Sequence, residues 1–352
     1  MQAPQAAAHG LGYRPAMPVL RDTMRAVTIP AFGDADVLRL DDIQTPEPGP
    51  GQVAIDVAFA GANFAEVLLR RGAVDVPLPY VPGIEVSGHV RALGAGVEGL
   101  RVGQAVAALT IVDGGGYAEV AVTDARLVAP LPEPASTDDL ATAAGLPSNS
   151  TTAIVVLARV ARLREGESVL VHAASGGVGG QLGQAARLLG AGRVVGTVGS
   201  AARLAAARAS GYDEVILRDR LPARSAALSG GAGFDVVVDP VGGATRRTSF
   251  DALADGGRLV VLGNASDAGD DEFTADELWS SGKSVLGFNL AALSASGPAL
   301  AGEALRRAVQ ALAAGELRVD VRDRIALERA AVAHRRIESG RSPGKLVLAV
   351  RG

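Results

Sequence analysis

A strand, a glycine-rich turn and a helix in direct succession constrain this chain more than any other feature. Residues 166–190 read Gly-Glu-Ser-Val-Leu-Val-His-Ala-Ala-Ser-Gly-Gly-Val-Gly-Gly-Gln-Leu-Gly-Gln-Ala-Ala-Arg-Leu-Leu-Gly. Ser168–His172 is too apolar for a sheet wetted on one face and predicts a buried strand. Val178, Leu182, Ala185, Ala186 and Leu189 share one stripe and predict a helix over Gly179–Leu189. Between them, Ala174-Ser175-Gly176-Gly177-Val178-Gly179 matches G-x-G-x-x-G with alanine in the first place. In that pattern Gly176 lets the backbone approach a pyrophosphate, Gly179 lets the helix pack close to the strand, and the helix N–H groups face the anion. A glycine cluster alone also marks ordinary turns. The strand before it and the helix after it favour a dinucleotide site.

The bulk properties narrow the rest. A length of 352 residues leaves room for one or two domains, each with its own core. A net charge of −4, with no basic tract and no acidic tail, gives no reason to expect nucleic acid. The apolar runs are strand-length, so no membrane span is expected. Residues 1–23 carry scattered proline, glycine and alanine but no apolar signal-peptide core. They predict a flexible tail, and a cytoplasmic location. The absence of cysteine excludes disulfides, thiolate metal sites and cysteine nucleophiles.

Two rhythms divide the chain. Residues 24–148 hold short strands set off by glycine and proline: Met24–Ile29, Val53–Phe59, Val86–Leu93 and Ala105–Leu109, with a tight hairpin over 96–106. This is an all-β pattern of barrel type. Ser136–Leu140 caps a helix, and Thr151–Leu163 predicts a linking one. From 149 to 290 strand and helix alternate: Val194–Val198, Ala201–Ser210, Glu214–Leu217, Phe234–Asp239, a helix near Thr245–Leu253, Arg258–Leu262 and Val285–Leu290. The α/β alternation predicts a Rossmann-type, doubly wound parallel sheet. The last part, 291–352, predicts the helix Glu303–Ala313, a β segment near Val319–Ile325, the helix Glu328–Ser339 and the strand Lys345–Val350, rejoining the first domain.

At this point the chain resembles the zinc-independent medium-chain dehydrogenases/reductases of the quinone oxidoreductase type. The resemblance covers Met24–Arg351 and rests on several segments in order. These are Met24-Arg25-Ala26-Val27; Asn63-Phe64-Ala65-Glu66 with Arg71-Gly72; and Pro82-Gly83-Ile84-Glu85-Val86-Ser87-Gly88. They continue with Gly115-Gly116-Tyr117-Ala118-Glu119; Ala173 to Gly179; Gly256-Gly257-Arg258; and Ser342-Pro343-Gly344-Lys345. It implies a β-rich, GroES-like barrel domain beside the Rossmann domain.

The cofactor reading combines the residues with that resemblance. An NAD site usually ends its second strand on an acid that holds the ribose. Here the strand ends Gly199-Ser200-Ala201-Ala202-Arg203, without one. Ser200 can donate to a phosphate and Arg203 can pair with it, which favours NADPH (NADP). Arg218, at the end of the third strand, falls where relatives face the adenosine phosphate. Lys345 resembles a family residue near that phosphate. Both arginines also read as solvated, and Lys345 as a plain strand start. The resemblance places Gly263-Asn264 and Phe288-Asn289-Leu290 around the nicotinamide, with Phe288 equally a core residue. Ser175, Gly176, Gly177 and Val178 would hold the pyrophosphate. Asn63 reads either as a contact to the nicotinamide ribose or substrate oxygen, or as a turn-capping asparagine. Thr151 or Thr152 reads as a nicotinamide contact or an N-cap.

Zinc relatives carry a Gly-His-Glu histidine where this chain has Gly83-Ile84-Glu85, and a four-cysteine lobe that is absent here. His9, His89, His172 and His334 have no ligand spacing, so no metal is expected. Many relatives place a tyrosine where Leu68, Ala73 or Val74 stands. Tyr80 or Tyr117 would then have to supply any protein acid, and water is the alternative proton source.

These readings lead to an NADPH-dependent reductase acting on a quinone or an α,β-unsaturated carbonyl, including tailoring enzymes that reduce an unsaturated biosynthetic intermediate. The alternatives are an NADPH-binding structural or regulatory protein with little turnover, and a zinc alcohol dehydrogenase. The expected partners are a small electron-poor acceptor and a second copy of the chain, paired through the 285–290 edge strand. The acceptor pocket is expected among Asn63–Tyr80, the region around Leu109–Gly116, and residues near Phe288–Ser296.

Overall fold

The computed structural model describes residues 23–269, 271–340 and 344–351. Apart from Thr23, the expected tail lies outside the described residues, as do His9 and Ser342-Pro343.

Strands β1 (Thr23–Thr28) and β2 (Arg39–Gln44) pair antiparallel; β2 is not among the expected strands. The barrel turns on β3 (Gln52–Ala62), whose alternation buries one residue in two over much of its length. After β3 the chain turns into helix α1 (Phe64–Arg71), which corrects the all-β expectation for this stretch. The helix has local causes. The Glu66 carboxylate accepts the Asn63 N–H at 3.0 Å, which is one half of a capping box. Arg70 and Arg71 fill the last turn, and Gly72 closes it at φ 79°. Next come β4 (Glu85–Leu93), β5 (Ala105–Leu109), β6 (Val120–Asp124) and β7 (Val128–Pro130).

Helix α2 (Thr137–Ala143) is capped by Ser136 and Asp139. Helix α3 (Pro147–Val155) starts at Pro147, four residues before the expected Thr151, and widens into a π turn over Val156–Val160. Thr151 therefore sits in the second turn, and the N-capping reading of Thr151 and Thr152 falls.

The second unit runs β8 (Ser168–Val171), α4 (Gly177–Leu188), β9 (Arg193–Val198), α5 (Leu204–Arg208), β10 (Glu214–Leu217) and α6 (Leu221–Leu228). It continues with β11 (Phe234–Asp239), α7 (Ala244–Asp251), β12 (Leu253–Val261), α8 (Ala275–Ser281) and β13 (Ser284–Gly287). The sheet is parallel in the order β10-β9-β8-β11-β12-β13. Its two faces explain the apolar runs. Val169, Val171, Val236 and Val238 pack into one core with α3 and α4 residues, while Leu170, Val237 and Leu259 pack into the other. Each such buried side chain contributes about 1.5–3 kcal/mol. Strand β13 stops at Gly287 because Asn289 caps the next helix, so the expected strand to Leu290 is three residues too long.

Helices α9 (Leu290–Ser296) and α10 (Pro298–Ala313) lead back to the barrel through β14 (Val321–Ala326), α11 (Ala330–Glu338) and β15 (Lys345–Ala349). Strand β15 pairs antiparallel with β3, Leu346 opposite Ala62, which brings Lys345 beside Asn63. Among the described residues no single helix is long and apolar enough to cross a membrane.

Candidate active site

A cleft of about 630 Å³ runs between barrel and parallel sheet. It opens at the carboxyl ends of the strands, where β8 lies between β9 and β11 and the strand order reverses. Of the expected residues, Asn63, Ser175, Gly176, Gly177, Val178, Ser200, Arg203, Gly263, Asn264 and Lys345 line it. Thr151, Gly199, Arg218, Phe288, Asn289, Leu290 and Tyr80 do not.

The glycine turn owes its shape to space. A Cβ on Gly179 would stand 2.2 Å from the Ala173 carbonyl oxygen, and one on Gly177 would stand 2.7 Å from Asn149 Nδ2. Ala173 itself sits at φ 53°, a left-handed conformation unusual for alanine. Gly176 and Gly177 are exposed to the cleft, and Gly176 is the N-cap of α4.

At one part of the cleft, Ser200 and Arg203 follow β9. Arg218 begins the turn after β10, and a Cβ on Gly199 would lie 3.1 Å from its Nη2. Burial lowers the Arg218 pKa, and the neighbouring Arg203 lowers it further against the pull of Asp239. Its Nε is buried without a hydrogen-bond partner among the described residues. Arg203 donates to the Gly340 carbonyl, across to the barrel unit. Two guanidiniums beside a serine, one with a desolvated free donor, fit a phosphate group.

On the barrel side, sequence reasoning missed two carboxylates. Glu66 and Glu85 are fully buried and Lys345 is 5% exposed. Lys345 Nζ donates to Glu85 Oε1 and to Asn63 Oδ1, each at 2.5 Å. Asn63 Nδ2 donates to Glu85 Oε1 at 2.9 Å, and the Ser148 N–H to Glu85 Oε2 at 2.7 Å. Glu66 Oε1 accepts the Ile84 N–H at 3.1 Å. The Lys345 ammonium is thus engaged with Glu85 rather than standing with Arg203. Burial pushes the Glu66 carboxyl up to about 7, opposed by Lys345 and helped by Glu85. The visible signal was the Asn-x-x-Glu capping spacing at 63–66.

The remaining polar groups separate clearly. Thr151 is fully buried with a hydroxyl that has no partner among the described residues. Asn289 Oδ1 accepts the Ala292 N–H at 3.0 Å as a helix cap, and Leu290 is buried. Tyr80 lies against Gly114, and burial raises its hydroxyl pKa, with Glu66 and Asp113 adding to the rise. Tyr117 is fully buried inside the barrel with its hydroxyl 3.4 Å from His334 Nε2, which corrects its reading as an acid for the acceptor. His172 Nδ1 pairs with Thr197 Oγ1 at 2.7 Å and its Nε2 with Ser249 Oγ at 3.0 Å; burial and Arg218 lower its pKa to about 3. Among the described residues no cluster of three or more His, Cys, Asp or Glu side chains is placed to hold a metal ion.

Comparison with known proteins bears on this geometry. Residues 49–133 match the family model described as alcohol dehydrogenase GroES-like domain, and residues 177–314 the one described as zinc-binding dehydrogenase. A quinone oxidoreductase of Pseudomonas aeruginosa is 33% identical over 342 residues, covering 92% of this chain and 99% of that protein. The human synaptic vesicle membrane protein VAT-1 homolog-like is 43% identical over 163 residues, 46% of this chain, and the match spans only 38% of that protein's length. A mycobacterial structure complexed with NADPH superposes with a TM-score of 0.83 at 30% identity, covering 93% of this chain and 100% of that one.

Proposed function

The chain belongs to the medium-chain dehydrogenase/reductase family, of the quinone oxidoreductase type, and from that premise we propose that it is an NADPH-dependent reductase acting without a metal on a quinone or an α,β-unsaturated carbonyl compound. The observation that carries the cofactor choice is the Ser200–Arg203–Arg218 corner, where β9 ends without an acid and one buried guanidinium nitrogen lacks a partner. An NAD ribose would need a carboxylate there.

Gly176, Gly177 and the first N–H groups of α4 would hold the pyrophosphate, Ser200 with Arg203 and Arg218 the adenosine phosphate, and Asn63 with Gly263 and Asn264 the nicotinamide end. When bound, NADPH supplies the hydride that the reaction needs. The chain's own part is to orient and to exclude water. Asn63 is held from both sides by Lys345 and Glu85, so its amide is fixed before any ligand enters. Lys345 spends two of its three N–H bonds on the protein; the third is available to an oxygen in the cleft. Such a preorganised donor stabilises the oxyanion formed when an enone or quinone accepts hydride. The proton that completes the reduction comes from water.

A second reading, an NADPH-binding protein with little turnover, draws on the absence of tyrosine among the cleft-lining residues. We further propose a cytoplasmic homodimer paired through the edge strand β13, whose Val285 and Leu286 are half-buried and which lies near the 84% exposed Trp279. NADPH consumption measured across a panel of quinones, enones and enoyl thioesters tests the function. Turnover on at least one acceptor supports the reductase; saturable NADPH binding with no turnover on any of them supports the second reading.

A further inference from the structure

A second, larger groove of about 840 Å³ lies apart from the cleft residues, with Val112, Asp113, Arg126, Ser294 and Arg306 in its walls. Two segments run from the cleft region into it. Thr110 bonds the Gly83 carbonyl through Oγ1 at 2.7 Å and the Ile84 carbonyl through its N–H at 2.9 Å, beside the Asn63–Glu66 cap. Two and three residues later the chain lines the groove. On the other wall, β13 ends next to β12, whose following residues Leu262 to Ala265 line the cleft. One turn into α9, Ser294 and Ala295 line the groove. With 3.8 Å between successive Cα atoms and 5.4 Å per helical turn, the groove starts within about 10–15 Å of the cleft.

Its chemistry is polar and nearly balanced. The carboxylates of Glu98, Asp113 and Asp124 stand with the guanidiniums of Arg126 and Arg306. Asp124 already holds Arg126 at 2.9 Å and 2.5 Å. Ser294 is 2% exposed, yet its Oγ has no hydrogen-bond partner among the described residues. A buried hydroxyl left unpaired is unfavourable by about 1–3 kcal/mol, so the site favours a ligand that supplies the bond. A flat quinone offers little to such walls, while a neutral chain of amides can use both the hydroxyl and the exposed backbone.

We propose that this groove holds an amide-bearing arm of the acceptor, with Ser294 bonding one of its amide groups. The substrate is then an α,β-unsaturated acyl thioester of the pantetheine kind rather than a bare quinone. This rests on the reductase reading. Hydride adds to the β-carbon, a proton from water adds at the α-carbon, and the C=C π bond gives way to two C–H bonds while NADPH becomes NADP⁺.

The test compares but-3-en-2-one, a benzoquinone, crotonyl-N-acetylcysteamine and crotonyl-pantetheine as acceptors. The expected kcat/KM rises at least about tenfold from the enone to the pantetheine thioester. Ser294→Ala narrows that lead about fivefold, the worth of one hydrogen bond. Butyryl-pantetheine, which cannot be reduced, should raise Tm in the wild type and less in Ser294→Ala. Equal kcat/KM across acceptors, or a thermal shift unaffected by Ser294→Ala, overturns the proposal. No turnover on any acceptor overturns the reductase reading, and the thermal shift still decides the groove.

Discussion

Lys345 Nζ stands 2.5 Å from Glu85 Oε1 and 2.5 Å from Asn63 Oδ1, so one ammonium from the last strand ties together the residue that ends β3 and the residue that opens β4. All of this is shielded from water. Removing the ammonium leaves Glu85 buried and unpaired, and Lys345→Met should lower stability by about 3–5 kcal/mol in urea unfolding. Adding Glu85→Gln to that variant should recover a large part of the loss. A loss below about 1 kcal/mol would mean that the pair is not closed in solution.

The phosphate corner predicts an asymmetric effect. Arg203→Ala and Arg218→Ala should each weaken NADPH binding about tenfold or more, because each removes a charge-assisted bond, while leaving NADH affinity nearly level. Fluorescence titration with both cofactors measures this. Equal losses for NADPH and NADH would remove both arginines from cofactor discrimination.

Backbone geometry at the turn gives a paired prediction. Gly179→Ala places a Cβ 2.2 Å from the Ala173 carbonyl, so it should shift the turn and cut both stability and cofactor affinity. Ala173→Gly acts oppositely, since glycine adopts the observed φ of 53° freely. It should be neutral or stabilising by up to about 1 kcal/mol in thermal unfolding. A marked destabilisation by Ala173→Gly would contradict the left-handed conformation.

Two buried groups set opposite pH slopes. Glu66 titrates at about 7 folded against an ordinary 4.5, so the folded state keeps its proton longer. Its stabilising effect is complete below the ordinary value and is lost as pH rises toward 7. His172 titrates at about 3 against 6.5, so its effect is complete above 6.5 and is lost as pH falls toward 3. Glu66→Gln should flatten the stability profile on the neutral side, and His172→Gln on the acid side. Profiles parallel to the wild type in both variants would contradict these assignments.

The parallel sheet was legible because strands buried on both faces are continuous apolar runs, as in Val169-Leu170-Val171 and Val236-Val237-Val238. The glycine turn was legible because its requirement is steric and local. Helix α1 was obscured by its β-rich surroundings, although the Asn63-x-x-Glu66 spacing announced it. The carboxylate cluster was not legible: Glu66, Glu85 and Lys345 come from three distant segments, and only the antiparallel register of β15 on β3 brings them together. Phe288–Leu290 were misjudged because the Asn289 cap, a local side-chain bond, ends the strand early.

The most direct test of the central claim follows the hydride itself. Protein treated with a strong chelator is given NADPH deuterated at the nicotinamide C4, with an enone or enoyl thioester, and the product is read by mass spectrometry. The account predicts one deuterium on the β-carbon, and turnover that survives chelation. Product without deuterium, or activity that vanishes with the chelator and returns with zinc, would contradict it.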